Sequence, residues 1–221
     1  MPDSSNETLD VALAQLHSED ALVQNRGVAA VIGIGAKAVP ALLKMFGEVS
    51  GGQRAQVMYA LSQIAAPDIA APEVAAAFKL GLSDGDERVR AYAAVGLARI
   101  GDPYALAALL QTINDAPDEL HGDMTPAVFA LGGMGVSALP SLLDLFMDES
   151  EGRRLHAQRA VEQIMMRRHG FLPGQGFPSA LAEEQFRADW RAGGDYDYSA
   201  EASARAAAVE KWRGRLSALE G

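Results

Sequence analysis

Cysteine is absent from the 221-residue chain, which excludes a disulfide scaffold and a thiolate zinc site together. Aromatic residues are scarce at 6%, with only two tryptophans, and no segment alternates apolar and polar residues as a half-buried strand would. Positive charge is short as well: 19 Lys and Arg face 29 Asp and Glu, a net charge of −10. Duplex binding rests on Lys and Arg neutralising phosphates, so this balance argues against nucleic acid as a partner unless a local basic surface forms. No uninterrupted apolar run is long enough to span a bilayer, so no membrane partner is expected. The opening residues, MPDSSNETLD, carry neither a basic n-region nor an apolar h-region; no secretory signal is expected, and a cytoplasmic location is. What the chain does have is apolar residues, 49% of the total with Ala foremost, far more than a disordered chain carries. Ala is the best helix former and lets helices approach closely. The expectation is an all-α fold with chain enough to bury a substantial core.

The stretch Val31 to Leu43, VIGIGAKAVPALL, contains Gly33-x-Gly35-x-x-Ala38, the spacing of a dinucleotide-binding turn. The same spacing returns one hundred residues on, as Gly133-x-Gly135-x-x-Ala138 in ALGGMGVSALPSLL, followed in both places by a proline and a Leu-Leu pair. A cofactor fingerprint has no reason to recur in register with its flanks; a structural repeat has. Context also differs from a nucleotide site, because the glycines close an apolar 3.6-residue pattern (Val28, Val31, Ile32, Ile34) instead of following a strand. The spacing predicts that Gly35 ends a helix and that Pro40 sits in the first turn of the next. No cofactor is expected here.

Three further copies align on the same anchor: ALSQIA, GLARIG and AVEQIM. The anchors Ile34, Ile64, Ile100, Met134 and Ile164 are separated by 30, 36, 34 and 30 residues, the length of one helical hairpin. First helices are predicted near 6–17, 37–47, 72–82, 103–114 and 137–148. Second helices are predicted near 20–34, 51–65, 86–100, 123–135 and 151–168. Ser4 with Glu7 three residues later predicts a capping box on the first of them.

The third copy, LSDGDERVRAYAAVGLARIGDPYALAALL (Leu82 to Leu110), resembles HEAT-like repeats of the short bacterial kind also found in phycobilin lyases. The resemblance covers about Asn6 to Arg168. It implies an α-α superhelix, a HEAT-like solenoid of about five hairpins whose second helices line a concave side, and a protein or peptide partner for a non-catalytic scaffold. It also implies an alternative, an enzyme or chaperone acting on a protein-bound tetrapyrrole. Binding of damaged DNA, as in some HEAT-like glycosylases, would need a basic concave face. An acid precedes an Arg by six residues at Glu48/Arg54, Asp84/Arg90 and Asp148/Arg154, and the resemblance makes these a polar ladder between neighbouring hairpins. The ladder breaks at Ser18/Gln24 and Asp118/Met124.

Residues 1–169 form the repeat array on this reading, and 170–221 change character. GFLPGQGFP is a Gly/Pro-rich connection. A helix with Ala182, Phe186 and Trp190 on one face follows it, then AGGDYDYSAE and a last helix presenting Val209, Trp212, Leu216 and Leu219. A repeat array must cover the apolar face of its last unit, so this hairpin is expected to be a cap; a docking or dimerisation module built on Trp190 and Trp212 is the alternative.

Candidate chemistry is thin. His17, His121, His156 and His169 are scattered, and there is no H-E-x-x-H, G-x-S-x-G or P-loop pattern, so no catalytic residue is expected. The long connection Asn114 to Asp123, NDAPDELHGD, gathers Asp115, Asp118, Glu119, His121 and Asp123. It reads as a solvated turn, with a hard-cation site over 115–123 as the alternative. A stronger signal lies on the second helices. Tyr92, Val95 and Arg99 share one flanking stripe. Alignment carries it to Arg26, Ala29 and Gly33, to Gln56, Tyr59 and Gln63, to Pro126, Phe129 and Gly133, and to His156, Arg159 and Gln163. The stripe has no acid in a strongly acidic protein. Arg26, Tyr59, Tyr92, Arg99, Phe129, His156 and Arg159 are the candidate partner-binding residues. Tyr59, Tyr92 and Phe129 are the expected anchors, and Arg26, Arg99 and Arg159 the charge partners of an acidic segment, since Tyr and Arg are enriched in binding hot spots. Packing of these aromatics against adjacent helices is the competing reading. Pro126 and Gly132-Gly133 make the fourth second helix irregular, either for close approach of a ligand or to accommodate the loop before it.

Overall fold

The computed structural model describes residues 4–219, with side chains from Thr8 onward; the capping box expected of Ser4 and Glu7 rests on side chains outside the described ones. Among these residues there is no β-strand, and the helices follow one another as hairpins. They are α1 (Ser4–Leu16) and α2 (Ala21–Ile34), α3 (Val39–Glu48) and α4 (Gly51–Ile64), α5 (Pro72–Gly81) and α6 (Glu87–Arg99), α7 (Ala105–Gln111) and α8 (Pro126–Met134), α9 (Leu139–Leu145) and α10 (Glu151–Arg168), and finally α11 (Ala180–Ala192) and α12 (Ala202–Leu219). The five hairpins expected from the repeat are α1 to α10. The chain divides into two compact units, Met1–Ala108 and Leu109–Gly221.

The glycine turns behave as the repeat predicts. Gly35 and Gly135 have φ of 70° and 71°, left-handed values that glycine adopts at no steric cost. The Gly35 N–H caps the Val31 and Ile32 carbonyls of α2. A single 3₁₀ turn follows each glycine, and Pro40 and Pro140 occupy the first turn of α3 and α9, where a missing N–H costs nothing. Two stretches, Ala21–Glu48 and Pro126–Leu145, have mean hydropathies of 1.7 and 1.5, apolar and long enough in composition for a bilayer. Each is divided into two helices at its glycine turn, and α2 alone has 14 residues, short of the roughly 20 a membrane span needs.

In the N-terminal unit, α2, α4 and α6 lie side by side and each packs on its hairpin partner. Leu16, Leu42, Phe46, Met58, Leu61, Phe78 and Leu97 are buried between them. The polar ladder forms here in a particular way. Arg54 lies over the Phe46 ring, 3.9 Å from its centroid, and donates from Nη1 to the Phe46 carbonyl at 2.8 Å. Its Nε stands 2.7 Å from Asp84 Oδ2 of the next hairpin, an ion pair by proximity whose N–H is not aligned on the carboxylate. Arg90 turns to the Asp84 and Gly85 carbonyls. Each Arg thus holds its own hairpin's turn by backbone oxygens, and the Asp84 carboxylate serves the hairpin before it. In the end repeat Gln24 does the same with Nε2 on the Leu16 carbonyl.

In the C-terminal unit α8 and α9 pack on α10, α12 packs on α9 and α11 on α10. The last hairpin therefore covers both helices of the fifth repeat. Trp212 is fully buried, and the Trp190 and Trp212 rings meet edge to face at 5.5 Å. Tyr196 stacks on Phe146 at 3.6 Å and donates its hydroxyl to the Phe146 carbonyl at 2.8 Å; burial pushes its phenol up to about 12. Arg154 donates from Nη1 to the Asp148 and Glu149 carbonyls and from Nε to the Tyr198 carbonyl, so the ladder arginine of this repeat binds the hairpin that follows. His169 and Arg215 both engage Asp189, at 2.9 and 2.5 Å.

Two features of α8 differ from expectation. Pro126 is its first residue, behind Thr125, whose hydroxyl accepts the Val128 N–H and donates to the Ile113 carbonyl; proline is at home there and breaks nothing. Gly132 gives close approach to a helix, not to a ligand: a Cβ there would come 2.7 Å from Gln163 Cβ on α10. At Gly133 a Cβ would meet only Arg167 Nη1, at 3.6 Å. Gly132→Ala is therefore expected to destabilise the unit by about 1–3 kcal/mol through overpacking, and Gly133→Ala to stabilise it by up to about 1 kcal/mol through helix propensity. Urea titration of the two variants checks the opposite signs.

Candidate partner-binding face

The seven stripe residues divide four and three between the units. In the N-terminal unit, Tyr59 on α4 and Tyr92 on α6 meet at 4.9 Å between ring centroids, with planes 60° apart. Both rings are half-buried. Aromatic packing and an open surface, alternatives on the sequence, coexist here: the rings pack on each other and keep a face in solvent. Burial, and next the neighbouring Tyr59, raise the Tyr92 phenol above its ordinary value. Arg99 is exposed and donates from Nη1 to the Gln63 carbonyl at 3.0 Å and from Nη2 to Gln63 Oε1 at 3.2 Å. Its partner is neutral, so the guanidinium is oriented without being neutralised. Arg26 on α2 is exposed and has no ion-pair partner among the described residues.

The C-terminal unit is different. Phe129 is 48% exposed. Arg159 reaches Asp123 at 2.6 Å and Glu162 at 2.7 Å. Burial lowers its pKa, but the bonds to Glu162 and Asp123 outweigh this and raise it overall. Both carboxylates reach the acid-free stripe from outside it. The Glu162 pairing was visible as an i,i+3 spacing; Asp123, 36 residues away, was not. His156 is 6% exposed and bonds Asn114 Oδ1 at 2.7 Å and the Gly122 carbonyl at 3.2 Å; burial lowers its pKa. It fastens the long loop and is nearly closed to solvent.

That loop is organised by its own acid. Asp118 Oδ1 accepts the Leu120 and His121 amides at 2.9 and 2.8 Å, and these backbone bonds lower its pKa. Among the described residues no three His, Asp or Glu side chains come together as a metal site would require.

Helical hairpins at a 30–36-residue repeat, closed by paired glycine turns and stitched by arginine to their neighbours, define an α-helical repeat protein. Residues 74–162 match the family model for HEAT repeats, so this segment is similar to HEAT repeats and supports a HEAT-like reading of the array. No curated protein matches it.

Proposed function

We propose that this protein is a non-catalytic, cytoplasmic scaffold whose α2–α4–α6 face grips an acidic segment of a partner protein. HEAT repeats are commonly protein-interaction scaffolds, and one observation carries the finer reading. The half-open Tyr59–Tyr92 pair shares its stripe with Arg26 and Arg99, two cations that no acid among the described residues pairs. Aromatic rings supply rigid apolar area at low entropic cost, and uncompensated guanidinium groups add attraction and orientation for carboxylates. Phe129 is a second anchor on the C-terminal unit, where Arg159 is already paired.

The test is capture of partners by wild type beside two variants, Tyr59→Ala/Tyr92→Ala and Arg26→Glu/Arg99→Glu, all with unchanged helicity. A partner held by wild type is expected to weaken at least about tenfold with either variant, as loss of hot-spot side chains does, and its binding to weaken with salt. Equal recovery by all three proteins would place the interface elsewhere.

A further inference from the structure

We propose that the groove between α10 and α11 is a binding site for a small organic cation with an apolar body, such as an arylalkyl ammonium. Glu162 and Met166 line it from α10, Phe186, Arg187, Trp190 and Arg191 from α11, and Asp195 from the turn after α11, enclosing about 410 Å³. That volume falls within the usual range for small-molecule sites. Its apolar wall is Met166, Phe186 and Trp190. Phe186 and Trp190 are both half-buried residues.

Charge pairing selects the ligand. Glu162 is held by Arg159 at 2.7 Å, Arg187 by Glu183 at 2.6 Å and Arg191 by Glu184 at 2.8 Å. The remaining charge in the lining is Asp195, exposed and without an ion-pair partner among the described residues. Its backbone is left-handed, φ 49°, and its N–H donates to the Trp190 carbonyl at 3.3 Å, which sets the carboxylate at the end of the helix that carries the indole. An uncompensated carboxylate beside an indole and a phenyl ring attracts a cation twice, by charge and by the ring quadrupole. An anion would meet the unpaired Asp195 and find Arg187 and Arg191 already engaged by Glu183 and Glu184, and a neutral molecule would gain only the apolar wall. The net charge of −10 favours the same sign of ligand at long range.

The probe is benzyltrimethylammonium, with benzoate and benzyl alcohol as the anionic and neutral comparisons, titrated into the full-length protein. The readout is the pair of tryptophan indole N–H resonances, assigned with Trp190→Phe. A saturable shift of the Trp190 resonance is expected with the cation, and weaker binding of both comparisons. Asp195→Asn is expected to reduce cation affinity at least about fivefold. Asn tolerates the left-handed backbone as Asp does, and an unmoved Trp212 resonance in that variant verifies the fold. A Trp190 shift that stays linear up to about 20 mM, weaker than any specific site would give, overturns the proposal. So does equal binding of benzoate, or unchanged affinity in the folded Asp195→Asn protein.

Discussion

Trp212→Ala is expected to lower the stability of the C-terminal unit by about 3–5 kcal/mol, the usual cost of truncating a buried large aromatic. The indole is fully buried, and the backbone closes over it so tightly that a Cβ at Gly193 would lie 2.3 Å from its ring. The cavity left by truncation could not collapse cheaply, because Gly193 belongs to the turn that also sets Asp195. The indole Nε1 is buried without a hydrogen-bond partner, so its loss removes packing and no bond. Urea unfolding monitored by circular dichroism measures the effect. A change below about 1 kcal/mol, the scale of a surface substitution, would mean that the last hairpin is appended to the fifth repeat and contributes little to it.

Gly27→Ala should also destabilise its unit, by less than this, although it adds only a methyl group. A Cβ at Gly27 would stand 2.4 Å from Leu16 N, 2.8 Å from Gln15 C and 2.9 Å from Ala12 O, all backbone atoms of α1. No side chain can rotate away; α1 and α2 must move apart. Overpacking of this kind costs about 1–3 kcal/mol or more, against a helix-propensity gain of about 1 kcal/mol. Gly33→Ala on the same helix is the control, because nothing lies within 4 Å of a Cβ there; it should gain stability. If both substitutions behave alike in thermal unfolding, close approach of α1 to α2 is not what Gly27 provides.

Each of these residues was visible in the sequence, but not with the right meaning. Gly33 and Gly133 stood out as a motif and Gly132 as an irregularity open to a ligand, whereas Gly27, which lets α1 and α2 touch, did not stand out. Pro126 looked like a disruption because its place at the start of α8 depends on Thr125, whose hydroxyl reaches Ile113 twelve residues earlier. The stripe of Arg26, Tyr59, Tyr92, Arg99, Phe129, His156 and Arg159 was legible as a row at helical spacing. Its electrostatics were not: Arg99 ends on a neutral Gln63, Arg159 on two carboxylates, and His156 in the interior.

The sequence alone determined the all-α class, the hairpin repeat, the glycine turns and the amphipathic C-terminal hairpin. These follow from local periodicity, from the φ that glycine permits and proline imposes, and from apolar faces that a helix must bury against a neighbour. Tertiary structure alone decided which charges remain uncompensated and which glycines are contact points, and it opened the groove between α10 and α11. Those properties depend on groups tens of residues apart meeting within a few ångströms, and a one-dimensional period carries the faces of helices but not the distances between them.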